Sequence, residues 1–231
     1  MRIHKMLSMA LAVTVSVTVF FSGCGNENAI PEATNPDNSE KVSVLNDIQT
    51  VQAFTEESVD ESDLKTILMA GVNAPSAMNK QPWHFTAVTN KDILKQISDD
   101  MSAGRPPMAG GDKKEMPAPP KGDSMTAKAG IADAPVAIII SCKEGSELDA
   151  GLACELMSDM ANVMGYGTKI ISSPTIALNG DKKEEYKKLL EIPEDQSAAV
   201  ILLIGHAKDS PDSASGATER DAYEDVVSAI D

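Results

Sequence analysis

The most informative segment of this sequence is residues 74–85, Ala-Pro-Ser-Ala-Met-Asn-Lys-Gln-Pro-Trp-His-Phe. It is predicted to be a polar turn, because an apolar helical pattern precedes it and an alternating, strand-like pattern begins at Trp83. Ser76, Asn79 and Gln81 place one hydroxyl and two amide groups on this turn. Ligand-binding residues concentrate on loops held between rigid elements. Composition alone fits a capped turn with Trp83 as a core anchor equally well.

The elements next to this turn follow from periodicity. Ser58-Val59-Asp60-Glu61 has the S-x-x-E pattern of a capping box, which predicts a helix start. The apolar stripe of this helix consists of Leu64, Ile67, Leu68, Gly71 and Val72. Because Pro75 disfavours a helical conformation for the residue before it, the helix should end by Ala74. A strand is predicted over 83–88, and a second helix is marked by Ile93, Leu94, Ile97 and Met101.

The second half of the chain repeats this alternation. Residues 134–142 and 198–204 are continuous apolar runs, typical of strands buried on both faces. Between them we predict a short strand at 169–172, a lysine-rich helix at 181–190 and a long helix ended by Gly165 and Gly167. The apolar stripe of the long helix consists of Leu148, Leu152, Leu156, Met160, Val163 and Met164. The segment 218–230 fits either a helix or an extended chain. Strands alternating with helices predict an α+β sandwich.

The N-terminus predicts export. A basic start is followed by an apolar run over 6–21 and then by Ser22-Gly23-Cys24. This order is that of a signal peptide, here residues 1–23. The small residues before Cys24 resemble a bacterial lipobox, in which the cysteine carries the lipid. The alternative is an uncleaved N-terminal anchor. Both alternatives place the protein outside the cytoplasm and attached to the cell membrane.

Two segments are predicted to be flexible. Residues 24–41 are rich in Asn, Glu, Pro and Ser and bury too little apolar surface to fold, so we interpret them as a tether. Residues 102–124 combine many Pro and Gly with Lys and Met, and form a flexible insertion. The folded domain is therefore expected to span 42–231, which is long enough for one substantial core.

Charge and thiol content restrict the function. The formal net charge is −15, and loss of Arg2 and Lys5 with the signal peptide changes it to −17. Such an acidic body is repelled by nucleic acid, so we expect no nucleic-acid partner. The three His residues are too scattered for a metal site. Cys142 and Cys154 are expected to be small buried hydrophobes, although an export compartment leaves a disulfide between them open.

The pattern A-P-S-A-x-N-x-Q-P-W-x-F within 74–85 resembles the signature of the FMN-dependent nitroreductase family. Weaker similarities follow in that family's order over most of 42–230. Asp149-Ala150-Gly151-Leu152-Ala153 resembles the start of its long central helix, and 164–167 resembles the glycine-rich end of that helix. Residues 190–193 precede its last core strand. Thr218-Glu219-Arg220 stands where the family has a basic residue on the flavin phosphate.

The resemblance implies a nitroreductase-like fold with a central, mainly antiparallel sheet flanked by helices. It also implies FMN bound at a homodimer interface, where the serine and asparagine of the signature contact the flavin. Their amide and hydroxyl groups suit the donors and acceptors of the flavin's pyrimidine edge. The cofactor-binding candidates are Pro75, Ser76, Ala77, Asn79, Gln81, Thr50, Gln52, Ser173, Pro174 and Arg220.

One difference from the family concerns the phosphate. The family opens with R-R-S-x-R, whereas this chain has Ile48-Gln49-Thr50-Val51-Gln52. Thr50 keeps a hydroxyl in the serine position, but every arginine is missing. Gln49 and Gln52 can still donate neutral hydrogen bonds, which are about half as strong as charge-assisted ones.

The expected activity is a ping-pong transfer of electrons through FMN. The donor is NAD(P)H or another reductant, and the acceptor is a nitroaromatic, a quinone or a similar compound. Because the cofactor supplies the chemistry, no catalytic side chain is predicted. Lys128 and Lys169 are interpreted as surface lysines. The alternative function is a surface lipoprotein that binds a flavin or another small ligand without turnover.

Overall fold

The computed structural model describes residues 45, 50–103, 130–208 and 221–230. The helices within 50–208 are α1 (Glu61–Val72), α2 (Lys91–Ala103), α3 (Glu147–Val163), α4 (Thr175–Leu178) and α5 (Lys183–Leu189). The strands are β1 (Trp83–Val88), β2 (Val136–Cys142), β3 (Gly167–Ile171) and β4 (Ser197–Gly205). A 3₁₀ turn covers Ala77–Asn79 between α1 and β1. The predicted alternation of helices and strands is confirmed.

The strands form one four-stranded sheet in the order β1-β2-β4-β3, and each neighbouring pair is antiparallel. Trp83 lies opposite Cys142, and Cys142 lies opposite Ser197. Ile171, the last residue of β3, lies opposite Ile201. The loop before β1 and the loop after β3 therefore leave the same end of the sheet, at its two opposite edges. The predicted antiparallel fold is confirmed.

Both faces of the sheet are covered by helices. Every residue of β2 is buried, and its side chains alternate between two cores because successive residues of a strand point to opposite faces. Ala137 and Ile139 pack with α2 and α5, whereas Ile138 and Ile140 pack with α1 and α3. The strands buried on both faces are thus confirmed, and the domain is a helix–sheet–helix sandwich.

The predicted capping box at Ser58 is wrong. The helix begins at Glu61 with Asp60 as its N-cap, and no side chain caps it. The carbonyl of Asp60 accepts the first helical hydrogen bond, from Leu64 N–H at 2.8 Å. Ser58 precedes the cap by two residues, so its hydroxyl is not at the position from which a capping residue reaches first-turn amides.

The apolar stripe predicted for α3 faces the core only in part: Met160 packs against it, but most of the stripe does not. Small residues and Met157 face the interior, and Met157 packs so closely on α1 that a Cβ at Gly71 would lie 2.7 Å from its Sδ. The larger apolar residues face outward: Leu148 is 77% exposed, Leu152 42%, Leu156 37% and Val163 60%. Since α3 is apolar on two sides, its periodicity could not show which side meets the sheet.

The end of α3 was predicted correctly. Gly165 follows the helix with φ of +88°, a left-handed conformation that glycine adopts without strain. Gly165 N–H donates to Asn162 O at 2.9 Å, and Tyr166 N–H donates to Ala161 O at 2.9 Å. These two bonds form a Schellman motif, which satisfies the last carbonyls of the helix. The chain then reverses directly into β3.

Cys142 and Cys154 are free and buried in the core between α1, α3 and the sheet. Burial raises the pKa of the Cys154 thiol to about 12. The disulfide left open by the sequence is therefore absent from this pair, and both residues serve as small apolar side chains.

Several predictions lie outside the described residues: the signal peptide with Cys24, the tether, Arg220, and the insertion beyond residue 103. Helix α2 continues to Ala103, so the first two residues of the predicted insertion, 102 and 103, are helical. Residues 221–230 belong to a separate compact unit. They contain a one-turn helix, α6 (Tyr223–Val226), followed by extended chain from Val227. In the described ranges no helix is long and apolar enough to cross a membrane.

Candidate functional site

The loop over 75–82 has a strained backbone. Met78, Asn79 and Gln81 have φ angles of 53°, 53° and 47°. Residues other than glycine seldom adopt this left-handed region, and each costs on the order of 1–3 kcal/mol. Such conformations persist only where the surrounding structure imposes them, and they cluster at ligand sites. The strain marks this loop as the first candidate site.

Hydrogen bonds inside the loop close it into a compact unit. Gln81 N–H donates to Ser76 Oγ at 3.0 Å, and Asn79 N–H donates to Ser76 O at 2.9 Å. The side-chain amide of Gln81 donates from Nε2 to Asn79 Oδ1 at 3.0 Å. Ser76, Asn79 and Gln81, the three polar residues of the predicted binding loop, are thus brought together.

The same bonds leave a definite set of polar groups unused. The Ser76 hydroxyl accepts from Gln81 but donates to no described residue, and the two N–H groups of Asn79 Nδ2 likewise have no acceptor there. Gln81 Oε1 has no donor in the same part of the chain. Met78, Asn79 and Gln81 are exposed, as are Pro75 and Ala77. The loop therefore offers two donor groups and one acceptor to a ligand.

The loop is anchored to the domain at both ends. Ala77 N–H donates to Asp149 Oδ1 at 3.1 Å, and Asp149, in the first turn of α3, is only 9% exposed. At the other end Lys143 N–H donates to Pro82 O at 3.2 Å. The ring of Trp83 stacks on Phe85 with 6.0 Å between centroids. Trp83 is half-buried and belongs to neither of the two cores, so it is not the core anchor of the alternative interpretation.

The second candidate site is the segment with Thr50 and Gln52, beside β3. Thr50 forms a parallel bridge with Thr168, and Val51 N–H donates to Thr168 O at 3.0 Å. Gln52 Nε2 donates to Thr50 O at 3.2 Å, so these two predicted residues are in contact. Gly167 permits the close approach, because a Cβ there would lie 2.3 Å from Val51 Cγ2.

A cluster of buried polar side chains lies next to this segment, between α3 and β3. Ser158 Oγ lies 2.9 Å from Thr168 Oγ1, and Asn162 Nδ2 donates to Thr168 Oγ1 at 3.0 Å. Sequence reasoning missed this cluster and also missed Asp149. The Asp149 contact joins residues 72 positions apart, and the polar cluster joins α3 to Thr168 in the strand that follows it. No local pattern in the sequence signals either pairing.

The third candidate site, Ser173 and Pro174, follows β3. Ser173 is exposed, and its carbonyl accepts Ile176 N–H at 3.3 Å. Pro174 is buried and is the N-cap residue of α4. Lys169, interpreted from the sequence as a surface lysine, is only 9% exposed, so that interpretation is wrong. It lies within β3, opposite Leu203 of β4, which belongs to the core that packs with α2 and α5.

One chain does not bring the three candidate sites together. Asp149, which anchors the loop, and Ser158, which reaches Thr168 beside Thr50, are nine residues apart on α3. At ~1.5 Å per residue this separates the two sites by roughly 14 Å. Ser173 is at the loop's end of the sheet, but β3 and β1 are three strand spacings apart, again roughly 14 Å.

The described ranges contain no group of three or more His, Cys, Asp or Glu side chains that could hold a metal ion.

Tyr166, near the end of α3, donates from its hydroxyl to Asp63 Oδ2 at 2.7 Å. That bond raises the pKa of the tyrosine, with burial as a second cause. It ties α1 to the turn after α3 and thus stabilises the helix that leads into the loop.

Comparison with known proteins agrees with this arrangement. Residues 49–206 match the sequence profile of the Nitroreductase family. A relative from Methanothermobacter thermautotrophicus, named as an NADH dehydrogenase/NAD(P)H nitroreductase, is 26% identical over 181 residues, which are 74% of this chain and 81% of that protein.

Two solved structures share the fold, and both are nitroreductases with bound FMN. The one from Bacteroides fragilis has a TM-score of 0.63 at 24% identity and covers 83% of this chain and 99% of its own. The one from Desulfitobacterium hafniense has a TM-score of 0.66 at 22% identity and covers 83% of this chain and 98% of its own.

Proposed function

Because this chain belongs to the nitroreductase family, we propose that it is an oxidoreductase that holds FMN and passes electrons from a reduced donor to a small aromatic acceptor. The observation that carries the proposal is the unused hydrogen-bonding set of the 75–82 loop. A flavin presents an acceptor, a donor and an acceptor along its pyrimidine edge. Ser76 Oγ–H and Asn79 Nδ2 can donate to the two carbonyl oxygens, and Gln81 Oε1 can accept from the ring N–H between them.

The opposite end of the cofactor would meet weaker partners. Thr50 offers an exposed hydroxyl, and Gln52 offers an amide that already donates to Thr50 O. Both groups are neutral, whereas a phosphate monoester carries close to two negative charges. We propose Arg220, which lies outside the described residues, as the cation at this end. The residues thus fit FMN, with more specific contacts at the ring than at the phosphate.

We propose that two copies of the chain build each site. The loop and the Thr50 segment lie roughly 14 Å apart, because they are held at different turns of α3. In a dimer, the loop of one copy can approach the Thr50 segment of the other. A single flavin would then contact both sets of residues, which is why the dimer is part of the functional proposal.

The exposed apolar stripe of α3 is the surface proposed for this dimer. Leu148, Leu152 and Leu156 recur every four residues and therefore form one ridge. On α1, Met69 is 47% exposed and Val72 is 44% exposed. A helix that is apolar on both sides is normally buried on both sides, and contiguous exposed apolar surface marks an interface. A second copy of α3 provides matching apolar chemistry.

When bound, FMN accepts electrons from one substrate and delivers them to another, so the protein supplies placement and access. Ser76, Asn79 and Gln81 would orient the ring, and the exposed position of the loop leaves space for donor and acceptor in turn. We propose NAD(P)H or another reductant as donor, in line with the name of the Methanothermobacter relative. Nitroaromatics, quinones and similar compounds are the proposed acceptors, reached by a ping-pong mechanism.

The test is an absorbance spectrum of the purified full-length chain, followed by stopped-flow reduction. We expect a flavin spectrum, with FMN released on denaturation, and bleaching by NADH or NADPH that an added quinone reverses. A flavin spectrum with no bleaching by NAD(P)H or dithionite-reduced donor dyes would favour the alternative, a binding protein without turnover. The missing arginines at 48–52 are the observation that supports this alternative.

We further propose that the protein is exported and anchored to the outer side of the cytoplasmic membrane through a lipid on Cys24. Support comes from the basic start, the apolar run and the Ser22-Gly23-Cys24 sequence. Stable anchoring takes more than one acyl chain, which a lipidated N-terminal cysteine would supply.

The Cys24→Ala variant is expected to remain an unprocessed precursor, because the lipid is attached to that thiol. Metabolic labelling with a fatty acid and membrane fractionation measure the change, and Cys154→Ala is the matched control because its buried thiol should not affect labelling. Equal labelling and processing in wild type and Cys24→Ala would refute the anchor.

A further inference from the structure

We infer that Asp149 is the residue that positions the 75–82 loop for the cofactor, an inference that rests on the FMN site proposed above. Asp149 Oδ1 accepts Ala77 N–H at 3.1 Å across 72 residues of sequence. Asp149 is buried, although carboxylates are seldom buried without a partner. The contact is made at Ala77, the first residue of the 3₁₀ turn and the neighbour of the left-handed Met78.

The loop depends on this contact because its other bonds are largely internal. Ser76, Asn79 and Gln81 bond to one another, and these bonds shape the loop without fixing it to the domain. Among the described residues, Asp149 provides the side-chain hydrogen bond that joins the loop to the rest of the fold. Three left-handed residues raise the energy of this conformation, so an external anchor is needed to keep it populated.

Asp149 bonds to the loop and not to the first turn of its own helix, α3. An acidic residue at the third position of a helix often reaches back to cap its own first turn. Here the N-cap, Ser146, makes no side-chain cap bond, and Asp149 uses its oxygen on Ala77 instead. The positive end of the helix dipole favours a negative charge in that turn. The carboxylate therefore binds the loop through a charge-assisted bond, stronger than a neutral one.

Asp149 is a positioning residue, since it acts through Ala77. With the anchor intact, the Ser76 hydroxyl, Asn79 Nδ2 and Gln81 Oε1 are held as one preorganised set. Without it the loop relaxes among several conformations, and only a fraction of molecules presents the set to the flavin. The apparent dissociation constant rises in inverse proportion to the fraction of molecules that still presents the set. Both FMN and riboflavin should be affected equally, because the loop contacts the ring system that they share.

The test is flavin titration of full-length Asp149→Ala, Asp149→Asn and Glu147→Ala. Glu147 is the matched control: it carries the same charge in the same helical turn, and among the described residues its carboxylate accepts Gly145 N–H, at 3.2 Å, and no amide of the loop. We expect Asp149→Ala to weaken FMN and riboflavin binding by about tenfold each, the effect of losing a partly buried charge-assisted bond. Asp149→Asn keeps an acceptor oxygen and should restore most of the affinity, and Glu147→Ala should match wild type.

Visible circular dichroism of the bound flavin provides a second readout, because it reports the asymmetry of the ring's surroundings. It should change in Asp149→Ala and not in Glu147→Ala, with both variants melting cooperatively. Wild-type affinity in Asp149→Ala, or an equal loss in Glu147→Ala, would overturn the inference. Asp149→Asn binding as weakly as Asp149→Ala would overturn it as well. Failure of the wild type to bind flavin would instead refute the proposed function, so the two failures are distinguishable.

Discussion

The Gln52→Arg variant is expected to bind FMN about tenfold more tightly than the unaltered chain. The variant would exchange a neutral donor for a charged one beside Thr50 in the proposed phosphate site, and a charge-assisted hydrogen bond is about twice as strong as a neutral one. A gain of ~1.4 kcal/mol corresponds to the tenfold change. Quenching of flavin fluorescence on titration measures it.

Riboflavin is the control ligand for this variant. It lacks the phosphate, so its affinity should be the same for Gln52→Arg and the unaltered chain. Arg220→Ala tests the remaining cation: it should weaken FMN binding by about 10- to 150-fold, the loss of ~1.5–3 kcal/mol that a hydrogen bond to a charged group contributes. If Gln52→Arg tightens riboflavin and FMN equally, the phosphate does not lie beside Thr50.

These expectations describe a protein that holds FMN more weakly than an arginine-bearing relative. Loss of two charge-assisted bonds, at ~1.5–3 kcal/mol each, amounts to ~3–6 kcal/mol if nothing replaces them. Part of the purified protein should therefore be colourless. The ratio of FMN to protein after purification, with and without FMN in the buffers, measures this fraction.

The second large effect is expected from Leu152→Glu on the exposed stripe of α3. In the proposed dimer this side chain lies against the partner, where an unpaired carboxylate costs several kcal/mol. Association of the two copies should weaken more than a hundredfold, so a dimer at micromolar concentration becomes a monomer. Light scattering and sedimentation measure the change, and flavin should be lost together with the dimer.

Leu189→Glu is the matched control for this substitution. Leu189 lies on α5 in the opposite helical layer and is 42% exposed, the same fraction as Leu152. It should leave both oligomeric state and flavin content unchanged. A wild-type chain that is monomeric at micromolar concentration while it still binds flavin would contradict the two-copy site.

The elements of this fold were predictable because apolar residues follow a regular pattern along each of them. The all-buried run of β2 and the Leu94–Ile97 pair of α2 identify themselves by hydrophobicity alone. The polar loop was recognisable as well, since Ser76, Asn79 and Gln81 are polar residues between two apolar patterns. Gly165 marked the end of α3, because a left-handed cap favours glycine.

Other features were decided only by tertiary structure. Helix α3 has small residues on one side and leucines on the other, and periodicity cannot tell which side packs on the sheet. The N-cap of α1 is Asp60 and not the predicted Ser58, because the first helical hydrogen bond, and not the residue type, defines the cap. The anchoring of the loop by Asp149 joins residues 72 positions apart, which a local pattern does not encode.

By itself the sequence determined the types and order of the elements, the polar loop and the absence of arginine at 48–52. These properties are local, because they depend on each residue and its near neighbours. Strand order and register determined where the candidate residues lie. They place the loop and Thr50 at separate positions along α3 and put Ser173 at the far edge of the sheet. The proposal of a second copy draws on these distances, which only the packing of sheet and helix sets.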